Sequence, residues 1–348
     1  MIKVAINGYG RIGRVAHRVI LDRFADQIEI VAINGGSSTD IGGWAYLLKY
    51  DTAYGPIKNT AVSSEQLAVS ETIPKQIGNL IVNDKKIPFY SEKNPEVLPW
   101  KQLGVDVVIE CTGNLLTEEK IKIHLAVGAK KVVLSAPAKD STIKTYVLEV
   151  NLENTPSENI ISNASCTTNC IAPVAQIMVS KFGVYKAMMT TMHAYTSDQR
   201  LQDGGHKDYR RARAAASNIV PTSTGAAKAA AETVPELKGL FTGIAVRVPV
   251  LVGSLSDFTF HLKRNTSIEE VNAVLKEEAQ SVRYQHILET TTEPLVSSDI
   301  VGNPHSAIVD LSLTQVAGGD MVKIFAWYDN EWGYVNRLVE EVIMVGQK

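Results

Sequence analysis

The feature that most constrains the fold is INGYGRIG near the start of the chain, because its glycines follow a strand and precede a helix. IKVAING predicts a strand, RIGRVAHRVILDRF has apolar residues at helical spacing, and IEIVAIN predicts a second strand. Gly8, Gly10 and Gly13 match G-x-G-x-x-G at the turn of this βαβ unit. Backbone N–H groups there can approach a pyrophosphate, and the helix dipole favours its charge. The segment therefore predicts dinucleotide binding.

Further along, VDVVIEC, a predicted helix over Glu118 to Val127 and KKVVLS repeat the alternation of strand and helix. This alternation is typical of an α/β fold, here a doubly wound Rossmann-type domain with a parallel sheet. After Cys166 the pattern changes to a helix over 172–182, a long strand in YKAMMTTMHAY, and strands in GIAVRVPV, LSDFTFHL and MVKIFAWYD. This order predicts an α+β domain with a mostly antiparallel sheet.

We place the domain boundary at Ser165, which gives a dinucleotide-binding domain over residues 1–165 and a second domain over residues 166–330. The final helix, about 331–348, is too apolar on one face to stand alone, so we expect it to complete the first domain. Within the second domain, Ser267 and Glu270 have the spacing of a capping box at the start of a helix.

The composition limits the classes of partner. The chain has 348 residues and a formal net charge of −2, so no overall positive charge draws it to nucleic acid or to an anionic membrane. No apolar run approaches the length of a membrane span. We expect no signal peptide, because the strand-like residues begin at Ile2 without a basic n-region, apolar h-region or cleavage site. We expect a cytoplasmic protein that binds a small molecule.

The three cysteines, Cys111, Cys166 and Cys170, are sparse and odd in number, which argues against a disulfide framework and fits a reducing compartment. On a helix, Cys166 and Cys170 would be neighbours at a spacing that could hold a metal. No histidine or acidic residue accompanies them at ligand spacing, so we predict no metal site.

The loop after the second predicted strand bears on which nicotinamide cofactor is bound. An acidic residue commonly stands there, holds the adenosine ribose hydroxyls and repels a 2′-phosphate. This chain instead has Asn34, Gly35 and Gly36, followed by Ser37. Hydroxyls and exposed N–H groups can receive a phosphate, so we favour NADP over NAD, with use of both as an alternative. In another interpretation, Asp40 folds back and excludes the 2′-phosphate.

SNASCTTNC places Cys166 among small polar residues, which is an unusual setting for a buried cysteine. If a helix starts near Thr167, the sulfur lies at a helix N-terminus, where the dipole and free N–H groups lower the pKa of a thiol. A nearby imidazole would favour the thiolate further. His193 ends a long strand beside polar residues, and His206 lies in a polar loop. A structural role is the alternative for either histidine.

Six segments follow INGYGRIG in order, namely SNASCTTNC, MTTMHAYTSDQR, RRARAAA, PTSTGAAKA, RVPV and WYDNEWGY. From about Lys3 to the last helix, the chain resembles the phosphorylating glyceraldehyde-3-phosphate dehydrogenase family. The resemblance implies a homotetramer of glycolysis or gluconeogenesis that oxidises glyceraldehyde 3-phosphate with inorganic phosphate and NAD or NADP to 1,3-bisphosphoglycerate. The second domain is then the catalytic, substrate-binding domain.

The resemblance also implies roles for individual residues. Cys166 is the nucleophile that attacks the aldehyde, and His193 is the base that promotes the thiolate and takes the hydroxyl proton. Hydride transfer leaves a thioester, which inorganic phosphate cleaves. The substrate's own phosphate is bound by Thr196, Asp198 and Arg247, and the attacking phosphate by Ser165, Thr167, Thr224 and Gly225.

For the cofactor, the glycine pattern and the resemblance give a longer set. Asn330 matches the residue that hydrogen-bonds the nicotinamide amide. Thr112 and Gly113 match a turn that lines the cofactor, and residues 135–137 belong to the same wall. The complete predicted set is Gly8, Gly10, Arg11, Ile12, Gly13, Asn34, Gly35, Ser37, Thr112, Gly113, Ser135 and Asn330.

Three departures from the family pattern bear on specificity and assembly. NAD-specific members carry an acidic residue at the position of Gly35, and commonly Leu-Pro where this chain has Gly204 and Gly205. In the family's tetramer the latter loop approaches the adenosine ribose of a neighbouring subunit, so small residues leave room for a 2′-phosphate. The residues from Val250 to Gly253, after Arg247, also differ, which bears on a subunit contact.

Two other functions stay open at this point. Erythrose-4-phosphate dehydrogenase has the same thiol and glycine patterns, and NPHSAIVD would suit it equally, although HAYTSDQR and STGAAKA favour the glyceraldehyde-phosphate enzyme. The third possibility is a catalytically silent nucleotide-binding protein with a redox or interaction role. The intact pair of Cys166 and His193 argues against it.

Overall fold

The structure is a computed structural model that describes residues 1–67, 74–152 and 154–347. The chain forms two compact units. The first unit consists of Met1–Tyr146, Asn154–Ala164 and Val335–Lys348, and the second of Val147–Glu153 and Ser165–Tyr334.

The first unit is built on a nine-stranded sheet with helices between its strands. Its elements are β1 (Ile2–Asn7), α1 (Arg11–Arg23), β2 (Ile28–Asn34), α2 (Ile41–Lys49), β3 (Val62–Gln66), β4 (Gln76–Val82), β5 (Lys85–Tyr90), α3 (Trp100–Leu103), β6 (Val107–Glu110), α4 (Glu118–Ile121), α5 (Ile123–Ala126), β7 (Lys131–Leu134), β8 (Lys144–Thr145) and β9 (Ile160–Ser162). The strand order is β3-β4-β5-β2-β1-β6-β7-β9-β8. All neighbours pair in parallel except β3 with β4 and β4 with β5.

The central strands of this sheet are mostly apolar because both faces of the sheet are covered. All four residues of β6 are buried, as are five of the six residues of β1. On one face, Ala5, Val108 and Val132 pack with the fully buried ring of Trp100 in a single apolar cluster. The predicted doubly wound parallel sheet is therefore confirmed.

One predicted element of this unit differs from the structure. The helix expected over Glu118 to Val127 is instead two single-turn helices, α4 and α5, that meet at Lys122. The backbone of Lys122, with φ −58° and ψ −14°, is tighter than a regular α-helix. Ile121 and His124, on either side of this residue, are both buried.

The second unit contains an eight-stranded mixed sheet with helices packed against it. Its elements are α6 (Cys166–Phe182), β10 (Val184–Ala194), β11 (Val220–Ser223), α7 (Ala226–Thr233), β12 (Phe241–Val248), β13 (Ser254–Leu262), α8 (Ile268–Gln280), β14 (Leu288–Thr291), β15 (Ala307–Asp310), β16 (Gln315–Ala317), β17 (Met321–Tyr328) and α9 (Trp332–Gly346), which runs on into the first unit. The strand order is β11-β12-β10-β13-β17-β15-β14, and β16 pairs with β17.

This sheet is mostly antiparallel, as predicted, because only β10–β12 and β14–β15 pair in parallel in the described part of the chain. Along β13, buried and half-buried residues alternate strictly, so that Phe258, Phe260 and Leu262 lie on the covered face. Helix α8 begins after Ser267, whose hydroxyl accepts a hydrogen bond from the Glu270 N–H at 3.2 Å. The Glu270 carboxylate accepts a hydrogen bond from the Thr266 hydroxyl at 2.7 Å. This bond takes the place of the one that a capping box would make from the N-cap N–H to the glutamate side chain.

Two boundaries differ from the sequence-based expectations. Helix α6 begins at Cys166, six residues before the start near Ala172 given for this element but only one residue before the start near Thr167 on which the thiol argument depends. Segment Val147–Glu153 belongs to the second unit, although the predicted first domain includes it. Arg283 Nε donates to the Glu149 carbonyl at 2.7 Å, which ties this segment to the second unit.

No helix in the described ranges is both long enough and apolar enough to cross a membrane.

Candidate active site

The predicted cofactor residues of the first unit follow the carboxyl ends of its central strands. Gly8 follows β1, Gly35 follows β2, Thr112 lies just beyond β6, and Ser135 follows β7. Strands β2 and β6 flank β1 on opposite sides, so the chain leaves β1 at a topological switch point. In open α/β sheets, ligands bind in the crevice at such a point.

The three glycines of the G-x-G-x-x-G motif occupy positions with different structural requirements. Gly8 has φ +96°, and a Cβ on it would lie 2.7 Å from the Thr112 nitrogen. A Cβ on Gly13 would lie 2.1 Å from the Gly8 carbonyl oxygen, so only glycine lets α1 approach the turn. At Gly10 a Cβ would meet nothing within 4 Å, and no side chain caps the N-terminus of α1 there. This open, uncapped helix end fits an anionic group such as a pyrophosphate.

The loop after β2 is held by Asn34 and bordered by aromatic rings. Buried Asn34 donates to Asn7 Oδ1 at 2.7 Å and to the Glu92 carbonyl at 2.9 Å. A Cβ on Gly35 would lie 2.6 Å from the ring of Phe89, which stacks on Trp44. The space beside Gly35 is therefore filled by an aromatic ring.

Two charged residues near this loop are committed to contacts within the protein. Arg11 forms an ion pair with Asp51, whose side chain is almost completely buried. Asp40 caps α2, since its Oδ1 accepts a hydrogen bond from the Gly43 N–H at 2.8 Å. Ser37 is exposed at the tip of the loop, and the backbone of Ile12 lies in the first turn of α1.

The turn after β6 is ordered by the carboxylate of Glu110. The Thr112 N–H donates to Glu110 Oε1 at 2.8 Å, and the Thr112 hydroxyl bonds to the same oxygen. Gly113 has φ +69° and faces open space, which suits a backbone that lines a ligand. Ser135 bonds to Cys111, and burial raises the pKa of that thiol to about 12, which disfavours its thiolate.

In the second unit, Cys166 is the first residue of α6. Ser165 caps the helix, because its hydroxyl oxygen accepts a hydrogen bond from the Thr168 N–H at 3.1 Å. The preceding Ala164 has φ +55°, a conformation rare for a residue with a side chain. The sharp turn, the cap and the helix start together hold the thiol in one place.

His193 and Arg247 reach this thiol from neighbouring strands. They are register partners in the parallel pair β10–β12, so both side chains leave the same face of the sheet. His193 Nε2 lies 3.3 Å from Cys166 Sγ, and Arg247 Nη1 lies 2.6 Å from His193 Nδ1. The thiol, the imidazole and the guanidinium thus form a continuous chain of contacts.

The tautomer of His193 depends on Arg247. Nδ1 lies 2.6 Å from the Ala194 carbonyl as well as from the guanidinium. The carbonyl only accepts and the guanidinium only donates, so Nδ1 can serve one of them at a time. When Nδ1–H donates to Ala194, Nε2 is free to accept a proton from Cys166. That tautomer is the one competent as a base.

The electrostatics of the pair differ from the sequence-based expectation of a lowered thiol pKa. Loss of water around the sulfur raises the pKa of Cys166, which outweighs the favourable charge of Arg247. Burial and the charge of Arg247 lower the pKa of His193 to about 3. Either charge alone is costly here, whereas proton transfer from Sγ to Nε2 creates two opposite charges that attract each other across 3.3 Å.

The residues predicted to hold phosphate make other contacts in this structure. Thr167 Oγ1 bonds to the Tyr328 hydroxyl at 3.0 Å, and Thr224 Oγ1 accepts from the Ala226 N–H at 3.2 Å. Asp198 pairs with Arg211 at 2.6 Å. These roles stay predictions, as do those of Thr196, beside β10, and of Gly225, at the N-terminus of α7.

Arg247 differs from these residues, because its buried Nε has no hydrogen-bond partner within the described ranges. A buried donor without an acceptor can be satisfied by an oxygen of water or of a bound anion. No group of three or more His, Cys, Asp or Glu in the described part of the chain could hold a metal ion.

Comparison with known proteins identifies the family. Residues 2–118 match the sequence model described as glyceraldehyde 3-phosphate dehydrogenase, NAD binding domain, and residues 165–330 match that of the C-terminal domain. The chain belongs to the glyceraldehyde-3-phosphate dehydrogenase family. It is therefore an oxidoreductase that uses a nicotinamide cofactor.

Relatives in this family match almost the whole chain. A glyceraldehyde-3-phosphate dehydrogenase from Streptomyces coelicolor is 49% identical over 349 residues, covering 100% of this chain and 99% of its own. Glyceraldehyde-3-phosphate dehydrogenase 2 from Nostoc sp. is 47% identical and covers 100% and 99%. The enzyme from Zymomonas mobilis subsp. mobilis is 47% identical and covers 97% of each chain.

Within this glyceraldehyde-3-phosphate dehydrogenase fold, the sequence analysis missed Tyr328 and Thr191. The Tyr328 hydroxyl bonds to Thr167 at 3.0 Å and to Thr191 at 2.8 Å, and its ring packs edge-on against His193. Thr191 and His193 are two residues apart on β10 and so share a face, which is a signal the sequence contains. Arg211 was also missed. It joins Asp198 to the carbonyl of Ser223.

The segment that departs from the family pattern leads into the residues that hold Asn330. Gly253 has φ +100°, and a Cβ on it would lie 2.4 Å from the Ser297 carbonyl oxygen. Asn330 Oδ1 accepts from the Gly253 N–H at 3.1 Å and from the Ser254 hydroxyl at 3.0 Å. This arrangement leaves Nδ2 of Asn330 as a donor.

The contact between Cys166 and His193 predicts how the thiol reacts with iodoacetamide. Only the thiolate reacts, so the rate should rise with pH. His193→Asn removes the proton acceptor, so we expect the rise to move to higher pH and the rate at pH 7 to fall roughly tenfold or more. His261→Asn, a change on the neighbouring strand β13, is the control. Equal rates for wild type and His193→Asn would contradict the assignment.

Proposed function

We propose that the chain is a phosphorylating glyceraldehyde-3-phosphate dehydrogenase that converts glyceraldehyde 3-phosphate, inorganic phosphate and NAD or NADP to 1,3-bisphosphoglycerate and the reduced cofactor. The observation that carries the proposal is the contact chain from Cys166 through His193 to Arg247, which places a nucleophile, a base and an anion-binding charge together. The names of the relatives agree with this reaction.

In the first half-reaction, the thiol proton moves from Cys166 Sγ to His193 Nε2, and the sulfur attacks the aldehyde carbon. The carbonyl oxygen takes that proton back from His193 Nε2, which gives a hemithioacetal and leaves His193 neutral. His193 then removes the hydroxyl proton while hydride leaves the same carbon, and a thioester to Cys166 results. When bound, the nicotinamide supplies the hydride acceptor.

In the second half-reaction, an oxygen of inorganic phosphate attacks the thioester carbonyl, and the Cys166 thiolate leaves. The acyl phosphate product departs with the oxidation energy retained in its new bond. An anion is needed beside the thiol at both stages, as the substrate's own phosphate and as the attacking phosphate. The buried, unpartnered Nε of Arg247 supports a phosphate site here.

A phosphate at Arg247 would also act on the base. The guanidinium charge lowers the pKa of His193 and competes with the Ala194 carbonyl for Nδ1. An anion paired with Arg247 offsets that charge and favours the tautomer with Nδ1–H bonded to Ala194. Substrate binding then makes His193 a better proton acceptor.

The cofactor contacts of the proposal rest on backbone geometry. The open, uncapped end of α1 at Gly10 suits the pyrophosphate, and the turn at Gly113 suits the nicotinamide half. Asn330 Nδ2 would donate to the nicotinamide carboxamide, since Oδ1 is held by Gly253 and Ser254.

We further propose that NADP is used at least as well as NAD. Gly35 carries no carboxylate to repel a 2′-phosphate, and Asp40 is committed to capping α2. The fold does not require glycine at 204 or 205, since a Cβ on Gly204 would meet no atom closer than 3.7 Å and one on Gly205 would meet none within 4 Å. A requirement from cofactor binding would explain glycines at those positions.

The reaction is tested by phosphate-dependent reduction of the cofactor with glyceraldehyde 3-phosphate and, in parallel, with erythrose 4-phosphate. We expect glyceraldehyde 3-phosphate to give the higher kcat/KM. Cys166→Ser should lower it roughly a thousandfold or more, because the nucleophile is lost. Cys170→Ser, a change one turn further along the same helix, should leave most of the activity. A preference for erythrose 4-phosphate, or no turnover of either, would refute the proposed substrate.

Cofactor preference is tested by comparing kcat/KM for NADP and NAD. We expect a ratio of one or more. Replacement of Gly204 and Gly205 by Leu and Pro should lower the ratio severalfold, because larger residues reduce the room for a 2′-phosphate. A wild-type preference for NAD of tenfold or more, about 1.4 kcal/mol, would contradict the proposal.

A homotetramer is the assembly we propose. Met188 on β10 and Ile244 on β12 are 65% and 50% exposed in the single chain, an unusual exposure for large apolar residues on a sheet. We expect light scattering to give four times the chain mass, and Ile244→Glu to lower that mass. A wild-type monomer in solution would be the contrary result.

A further inference from the structure

A row of buried polar side chains crosses the sheet edge of the first unit, where the cofactor loops begin. Asn34, Asn7 and Glu110 are the last residues of β2, β1 and β6, which are adjacent in the sheet. The strand register places Asn7 opposite both Asn34 and Glu110. All three are nearly or completely buried, and an ionisable carboxylate there is costly unless it is fully hydrogen-bonded.

Hydrogen bonds run along this row in one direction. Asn34 Nδ2 donates to Asn7 Oδ1 at 2.7 Å, and Asn7 Nδ2 donates to Glu110 Oε2 at 2.6 Å. At one end, Asn34 Oδ1 accepts from the N–H groups of Gly36 and Glu92. Since an amide has one acceptor and one donor end, the direction of the row requires an acceptor at position 110.

A second branch reaches Glu110 from the helices that cover the sheet. His124 Nε2 lies 3.0 Å from Glu110 Oε2, and Trp100 Nε1 lies 3.0 Å from His124 Nδ1. An indole N–H only donates, so Nδ1 must accept, and the neutral imidazole carries its proton on Nε2. His124 therefore donates to the carboxylate. The 3.4 Å approach of Asn7 Nδ2 to His124 Nε2 follows from their shared acceptor.

The other carboxylate oxygen holds the turn after β6. Glu110 Oε1 accepts from the Thr112 N–H at 2.8 Å and from its hydroxyl. One carboxylate thus receives donors from β1, from α5 and from the turn that leads to Gly113. Through Asn7 and Asn34 it is also connected to the loop that contains Gly36.

We propose that Glu110 is a positioning residue that sets the affinity for the nicotinamide cofactor, because it holds the loops after β2 and β6 in their binding geometry. His124 assists it as a hydrogen-bond donor, and Trp100 fixes the tautomer of His124. This inference rests on the proposed function only in taking those loops as the cofactor site. It assigns no contact between Glu110 and the reacting atoms.

The expected effect of Glu110→Gln follows from hydrogen-bond direction. In the wild type, donors converge on both carboxylate oxygens of Glu110. A glutamine amide has one acceptor oxygen and one NH2 group, so at least one of Asn7, His124 and Thr112 would face another donor. We expect KM for the cofactor, and its Kd measured by fluorescence titration without substrate, to rise at least tenfold. We expect kcat to stay within about threefold and the alkylation rate of Cys166 to stay unchanged.

Trp100→Phe keeps an aromatic side chain, although a smaller one, and removes the N–H that fixes His124. We expect Trp100→Phe to raise the cofactor Kd by about two- to fivefold, less than Glu110→Gln. Trp100→Phe tests the inference if Glu110→Gln fails to fold. The matched control is Asp310→Asn. Asp310 is also a buried carboxylate at a strand end, and it accepts from the Trp327 indole at 3.2 Å, but it belongs to the second unit. Its replacement should leave cofactor Kd unchanged.

The outcomes separate this inference from the proposed function. If the wild type binds neither NAD nor NADP, the cofactor site itself is wrong. If the wild type binds and Glu110→Gln and Trp100→Phe bind equally well, the inference is wrong while the function stands. A fall in kcat and in Cys166 alkylation equal to the loss of cofactor affinity, or the same loss in Asp310→Asn, would show a general structural effect and would also refute it.

Discussion

The chemistry that we propose for this chain depends on one contact, the 3.3 Å approach of the Cys166 sulfur to the His193 imidazole. The sulfur is placed by a cap and a tight turn at the start of α6, and the imidazole by the end of β10. Arg247 lies beside this contact because it is the register partner of His193 on β12. Its guanidinium can both bind an anion and determine which nitrogen of the imidazole carries the proton.

Much of the fold could be predicted because its signals are local. The βαβ unit at the start of the chain has apolar strands, helical spacing and glycines within a few dozen residues, and Gly8 and Gly13 are required by contacts of that same unit or its neighbouring strand. Cys166 and His193 were also accessible to sequence reasoning. Each stands among polar residues at the end of a recognisable element, and the family resemblance supplied the pairing.

Other features were missed for physical reasons. The hairpin β4–β5 turns at Asn83 and Asp84, both with positive φ, a two-residue signal that is easily overlooked beside lysines. The sequence left the start of α6 between Thr167 and Ala172, because threonine and asparagine favour caps and turns over helix interiors. The branch from Trp100 to Glu110 joins residues that have no common sequence pattern, and His124 lies in a helix that resembles any other.

The aromatic ring beside Gly35 has a consequence for substitutions at this position. Phe89 would overlap a side chain at position 35, and the ring is itself wedged edge-on against Tyr9 and stacked on Trp44. A carboxylate at position 35 therefore becomes acceptable only after Phe89 has been replaced by something smaller, which on its own opens a hole in a packed cluster. A side chain at position 35 and a smaller residue at position 89 are therefore coupled, because each change is unfavourable without the other.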